Sequence, residues 1–245
     1  MGDEVKLYVD HMSQPSRALI IFCKANGIEF EEVKIEIVKM QHRSPHFAEI
    51  NPMRKVPALV HGDFKLFESH AILIYLASTF GVADHWYPAD IRKRAKIHAI
   101  LDWHHANLRR GSVGQLFYTS LAVAYGLPLD LKAAAKSEEL LSASLAFIEK
   151  HLLEEDKPFL AGNSQPSIAD LSLACEIMQL EAGDDEDLER ILRPHKKILK
   201  WLEDTKNEIA PYFEQVHDSI IPITKEMNKH LRSQGMAKLK LNTEN

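Results

Sequence analysis

The hydrophobic period of this chain changes once, near residue 90, and that change limits what it can fold into. Before it, alternating and helix-like stretches take turns. Val5, Leu7 and Val9 alternate with Lys6 and Tyr8, the pattern of a half-buried strand. Pro15 then suits the first turn of a helix, where its missing N–H would have no partner anyway. Arg17 to Asn26 is rich in helix formers, and Gly27 is a natural stop. Val33, Ile35 and Ile37 alternate again, so a second strand is expected there. A polar stretch from Gln41 to Asn51 precedes Lys55–Val60 and Lys65–Glu68, which flank Gly62-Asp63 as a hairpin. Ser69 is placed to cap a helix through Ala71, Ile72, Tyr75 and Leu76.

Strand, helix, strand, hairpin and helix in that order form a thioredoxin-like layout. The remainder reads differently. Val82 to Asp90, with Trp86, Tyr87 and Pro88, has the character of a linker, and from Ile91 onward almost every segment has helical spacing. Ile97, Ile100, Leu101 and His104 share one face, as do Leu140, Leu141, Leu145 and Ile148. Ser167, with Asp170 three residues on, forms a capping box that opens an apolar helix through Leu171, Leu173, Ala174, Ile177 and Met178. Gly183 to Glu189 is acidic and is expected to be a surface loop. The fold class is therefore an α/β thioredoxin-like domain followed by an all-α domain. The expected division is residues 1–82, a linker 83–90, helices 91–232, and a basic tail 233–245 with mobile terminal residues.

Bulk properties exclude several function classes. The 245 residues suffice for two small domains, and 45% hydrophobic with 27% charged residues is ordinary for a soluble protein. A formal net charge of −5 argues against nucleic acid or anionic membrane as partner. Cys23 and Cys175 are the only cysteines and stand in no metal-like or redox-like spacing, which points to a reducing compartment. The first residues carry no signal-peptide pattern, the last no retention address, and the longest apolar runs are far too short for a bilayer. The cytoplasm is the expected location.

Four motifs carry chemistry, and each has a plain alternative. Ser13, with Gln14 beside it, precedes a helix N-terminus, whose unpaired N–H groups and partial positive charge favour a thiolate. Read alone, Ser13 is more simply a helix cap. Val56-Pro57, if cis, lets Val56 offer its backbone to a peptide-like ligand as an added strand; otherwise Pro57 merely starts a strand. Glu68-Ser69 opens a second helix and suits an α-carboxylate, or is an ordinary cap. His42 and Arg43, with Lys55, supply positive charge for a second carboxylate, or form a solvated basic patch. Taken together, the four describe a short peptide with two carboxylates and a thiol between them. Glutathione fits.

Ser13-Gln14-Pro15-Ser16-Arg17, Lys55-Val56-Pro57-Ala58-Leu59 and Phe67-Glu68-Ser69-His70-Ala71-Ile72 resemble the glutathione transferase family. The Ser-Gln-Pro setting, Asp102-Trp103-His104-His105 and Asn107-Leu108-Arg109-Arg110 are similar to the theta class, its plant members most of all. The resemblance runs from about Leu7 to Trp201. It implies a homodimer, Ser13 as the thiolate-holding residue, and His42, Arg43 and Lys55 on the glycyl carboxylate. It further implies Val56 on the cysteinyl backbone, and Glu68 and Ser69 on the γ-glutamyl end. Arg109 matches an arginine that faces the sulfur, although a surface charge on an amphipathic helix is the alternative. Two positions depart from the family pattern. Ala106 stands where relatives carry an acid that reaches the partner subunit's glutathione, and Arg54 stands where glycine or lysine is usual.

The reaction implied is thiolate attack on an activated halide, epoxide, unsaturated carbonyl or hydroperoxide, with glutathione as co-substrate and no other cofactor. No metal is expected, since adjacent His104 and His105 cannot share a helix face. A non-catalytic glutathione-fold carrier is the alternative reading. A thiol reductase is disfavoured because no cysteine stands at position 13. Met12, Phe117 and Tyr118 are candidates for the electrophile pocket or for the core.

Overall fold

The computed structural model describes residues 4–243. Four strands form one mixed sheet: β1 (Val5–Val9), β2 (Glu31–Lys34), β3 (Ala58–His61) and β4 (Phe64–Phe67), in the order β2-β1-β3-β4. β1 runs parallel to β2 and antiparallel to β3, with Leu7 opposite Leu59, and β3 and β4 make the expected hairpin. The parallel pair requires a crossover, which α1 (Gln14–Ala25) supplies. A short α2 (Pro45–Ile50) precedes β3, and α3 (Ser69–Thr79) follows β4.

Eight further α-helices follow among the described residues: α4 (Ile91–Ala106), α5 (Leu108–Thr119), α6 (Leu131–Phe147), α7 (Ile168–Met178), α8 (Asp185–Ile191), α9 (Lys196–Glu208), α10 (Tyr212–His217) and α11 (Ile221–Thr243). α7 is the hub, and all of its residues are buried. The expected capping box is present: Asp170 accepts from Ser167 N, and its other oxygen accepts from Leu160 N and Trp201 Nε1. α1 packs between the sheet and α7, which explains why Ala18 to Cys23 is apolar on every side. α5 and α6 approach closely at Gly111, where a Cβ would lie 2.7 Å from the backbone of Leu141.

Several expectations are corrected. The second strand ends at Lys34, not Ile37, because β1 ends at Val9; beyond one bond from Ile35 N to Val9 O there is no strand left to pair with, and Ile37 N turns to the Asp10 carboxylate. The acidic run at 183–189 is mostly helical, since Asp184 caps α8 and its first-turn acids suit the positive end of a helix. Ser69 is the first helical residue of α3; the cap position belongs to Glu68, and no side chain caps it. The segment 82–90 is anchored, with Trp86 buried edge-on against Phe22. Past residue 233, α11 continues through Thr243, and the last two positions of the expected tail, Glu244 and Asn245, lie outside the described residues.

Candidate active site

A cleft of about 960 Å³ opens between the N-terminus of α1, the segment around residues 37–56, α5 and α11. Ser13 lies at its floor. It holds the cap position of α1 in extended backbone, yet its hydroxyl makes no capping bond and has no other partner among the described residues. The turn that carries it is fixed without that hydroxyl. Ser13 N donates to Asp10 O at 2.9 Å, and the Asp10 carboxylate accepts from Met12 N and Ile37 N. The fully buried Arg17 donates to His11 O at 2.8 Å and to Gln179 Oε1 at 2.7 Å. Simple capping is thus not how this serine is used; its oxygen is left free at a positive helix end.

The same cleft is lined by Gln14, His42, Arg43, Arg54, Lys55, Val56 and Arg109, and by no aspartate or glutamate. Arg43, Arg54 and Lys55 are exposed and make no ion pair among the described residues. On a chain of net charge −5, three unpaired cations on one wall without an acid select an anion. His42 adds no charge at neutral pH, because burial and then the neighbouring Arg43 lower its pKa; it offers hydrogen bonds instead. Arg54 sits at φ 54°, the left-handed region that a non-glycine residue occupies at a cost, and such residues gather at ligand sites.

The Val56–Pro57 bond is cis, as the motif allowed. Val56 lines the cleft just ahead of β3, and its N–H and C=O have no partner among the described residues. Pro57 is buried behind it, off the wall. Glu68 and Ser69 also stand outside the residues that wall the cleft. Glu68 has φ 70° and ψ 113° and lies 3.9 Å from His105, while Ser69 is buried with an unbonded hydroxyl at the start of α3.

Arg109 resolves into neither of its expected alternatives alone. It lines the cleft, but its Nη1 donates to Glu176 Oε2 at 2.8 Å. Glu176, on α7, is fully buried, and no sequence motif pointed to it. Burial pushes its carboxyl up, but Arg109, His104 and Ser112 outweigh that and hold it at about 2. It stands alone as a charge in the apolar run Leu171–Met178, and that isolation was the available signal.

Met12 lines the cleft. Phe117 and Tyr118 are neither core nor cleft: their rings meet edge-on at 5.3 Å in a separate cavity of about 570 Å³ that shares Arg109 and Val113 with the first. Asn107 ties its side chain to Trp103 O, while Ala106 and Asp102 are exposed on α4. Among the described residues no cluster could hold a metal ion, and no helix is long and apolar enough to cross a membrane.

Known proteins resemble this chain over most of its length. A family described as "Glutathione S-transferase, N-terminal domain" matches residues 4–78. Glutathione S-transferase T1 of Arabidopsis thaliana is 55% identical over 92% of this chain and 93% of its own. Glutathione S-transferase T2 of the same plant is 56% identical over 88% of this chain, which spans 36% of that longer relative. The crystal structure of human glutathione transferase theta-2, in complex with glutathione and an unknown ligand, superposes with a TM-score of 0.83 at 34% identity, covering 92% of this chain and 91% of that one.

Proposed function

The chain belongs to the theta class of the glutathione transferases, and on that premise we propose that Ser13 holds the glutathione thiolate while the cleft presents it to a small electrophile. The observation that carries this reading is the unbonded Ser13 hydroxyl at the N-terminus of α1. A thiol of ordinary pKa, about 8.5, is only a few per cent ionised at pH 7. Lowering it by roughly two units takes on the order of 2.7 kcal/mol of preference for the thiolate. One hydrogen bond to a charged sulfur together with a helix N-terminus is of that size.

In this reading Arg43 and Lys55 hold the glycyl carboxylate and His42 hydrogen-bonds it. Val56 pairs with the cysteinyl backbone in the manner of an added strand, Gln14 flanks the sulfur, and Glu68 and Ser69 receive the γ-glutamyl end. These belong to a thioredoxin-like domain of residues 1–82. The helical domain, 91–232, supplies Arg109 and the apolar wall, including Val113 and Leu116, against which the electrophile lies. The thiolate displaces a halide, opens an epoxide, adds to an unsaturated carbonyl, or attacks a hydroperoxide oxygen and releases the alcohol. Glutathione is the co-substrate; the chemistry needs no metal and no redox cofactor. The enzyme works as a homodimer in the cytoplasm, without nucleic acid or membrane as partner. Turnover of Ser13→Ala at saturating glutathione, on an activated halide and on cumene hydroperoxide, tests the assignment. Near-normal rates on both would remove Ser13 from the mechanism.

A further inference from the structure

Glu176 is wholly buried in α7, yet its hydrogen-bond partners Gln14, Arg109 and Ser112 sit on α1 and α5, two helices that wall the cleft. Its Oε2 accepts from Arg109 Nη1 at 2.8 Å and lies 3.4 Å from His104 Nε2, too far out of line for a hydrogen bond. Its Oε1 accepts from the Ser112 hydroxyl and, at 3.4 Å, from Gln14 Nε2, next to Ser13. α1, α4 and α5 therefore meet at one carboxylate. His104 in turn contacts His70 of α3 at 3.1 Å, so both ends of the active-site region connect to it. An ion pair kept only for stability could be exchanged for apolar packing at little loss. Here the cation is instead left partly in the cleft: the Arg109 side chain is 29% exposed, and its Nε and Nη2 have no partner among the described residues.

We propose that Glu176 is a positioning residue for the transferase reaction, tethering Arg109 by one edge so that its two remaining donor groups stay aimed at the meeting point of sulfur and electrophile. This rests on the assignment of Arg109 to the reaction made above. A long arginine side chain free to swing would have to be ordered at each turnover; the tether removes that cost in advance. The carboxylate also sets the charge. With Glu176 ionised, Arg109 and Glu176 together are neutral, so the thiolate is held by Ser13 and the helix end, and Arg109 orients the incoming group. Without that negative charge, Arg109 would stand as an uncompensated cation beside the sulfur.

These two effects move in opposite directions, which separates positioning from support of the fold. In the full-length enzyme, Glu176→Gln is expected to lower kcat by about 10- to 100-fold with the KM for glutathione nearly unchanged. The pH at which bound glutathione ionises, followed by thiolate absorbance, is expected to fall. A role in folding alone would raise that pH or leave it in place. Combined with Arg109→Ala, the change should cost nothing further, because the tether acts only through Arg109. Losses that multiply in the double variant, or wild-type kcat in folded Glu176→Gln, would overturn the proposal. If Glu176→Gln does not fold, Glu176→Asp keeps the charge and retracts it by one methylene. The same absence of added loss with Arg109→Ala is expected there, and multiplying losses again count against the tether. Wild-type speed in Arg109→Ala itself would instead sink the prior assignment of Arg109, so the two failures are distinguishable.

Discussion

The two walls of the cleft are built on different principles. The wall from the thioredoxin-like domain works through backbone: a helix N-terminus at Ser13, a free strand edge at Val56, and exposed cations on a loop. The helical wall works through side chains, with Arg109 aimed by a carboxylate 67 residues away in sequence. The first wall needs only local chain geometry to bind an invariant co-substrate. The second depends on packing among α4, α5 and α7, and packing can be retuned for different electrophiles while the first stays constant.

That contrast can be broken first at Ser13. Ser13→Ala is expected to lower kcat by roughly two to three orders of magnitude while glutathione affinity, measured by calorimetry, changes little, because the backbone contacts remain. Loss of glutathione binding of the same size would show that the hydroxyl builds the wall and does not merely serve the sulfur. On the opposite wall, Arg109→Ala should lower kcat/KM for the electrophile by about 10- to 100-fold, again sparing glutathione. A rise in the KM for glutathione alone would move Arg109 to the first wall. Lys55→Ala should do what neither of those does: raise the KM for glutathione about tenfold, the worth of one charged hydrogen bond, at constant kcat. That penalty should shrink at high salt, since Lys55 is exposed.

The smallest effect concerns the seam between the walls. His70, buried between α3 and α4, has its pKa lowered to about 2, by burial first and then by His104, His105 and Arg109. Its unfolded value is about 6.5. Below that pH the unfolded chain takes up a proton that the native state refuses, so the stability it contributes is whole above pH 6.5 and drains away as pH falls toward 2. Between pH 7.5 and 5.5 this amounts to about 1 kcal/mol. Urea unfolding of His70→Gln should show a correspondingly smaller drop over that interval; an unchanged drop would mean that His70 titrates normally.

The same contrast explains what the sequence disclosed. Ser13, Val56-Pro57 and the Ser167–Asp170 box are written in a few consecutive residues, because turns, caps and strand starts are short-range events. Their positions, and the cation wall with them, were legible in advance. The end of β2 was not, because it depends on where β1 stops. The acids of α8 read as a surface loop because only the folded chain shows Asp184 accepting from Glu186 N as its cap. Ser69 reads as a cap because nothing local reveals that Glu68 takes a left-handed φ. Glu176 escaped notice altogether: its four partners lie on three helices, the most distant 162 residues away, and only assembly brings them together.

One hydrogen atom sets how closely α11 can lie against Val123 and Leu129. α11 contributes Thr224 and Met227 to the cleft, and farther along it rests on Leu129 and Val123 through Gly235. Alanine there would make the isolated helix about 1 kcal/mol more favourable, yet its methyl would fall 2.5 Å from Leu129 Cγ. The bare glycine is therefore a spacer of zero thickness: with any larger residue there, either the Leu129 and Val123 side chains or α11, and Met227 with it, must give way. Gly235→Ala, assayed on a graded series of electrophiles, tells the two apart: a shift of preference toward bulkier ones means that α11 gives way and size discrimination is set at the back of the helix, and an unchanged preference means that the Leu129 side chain does.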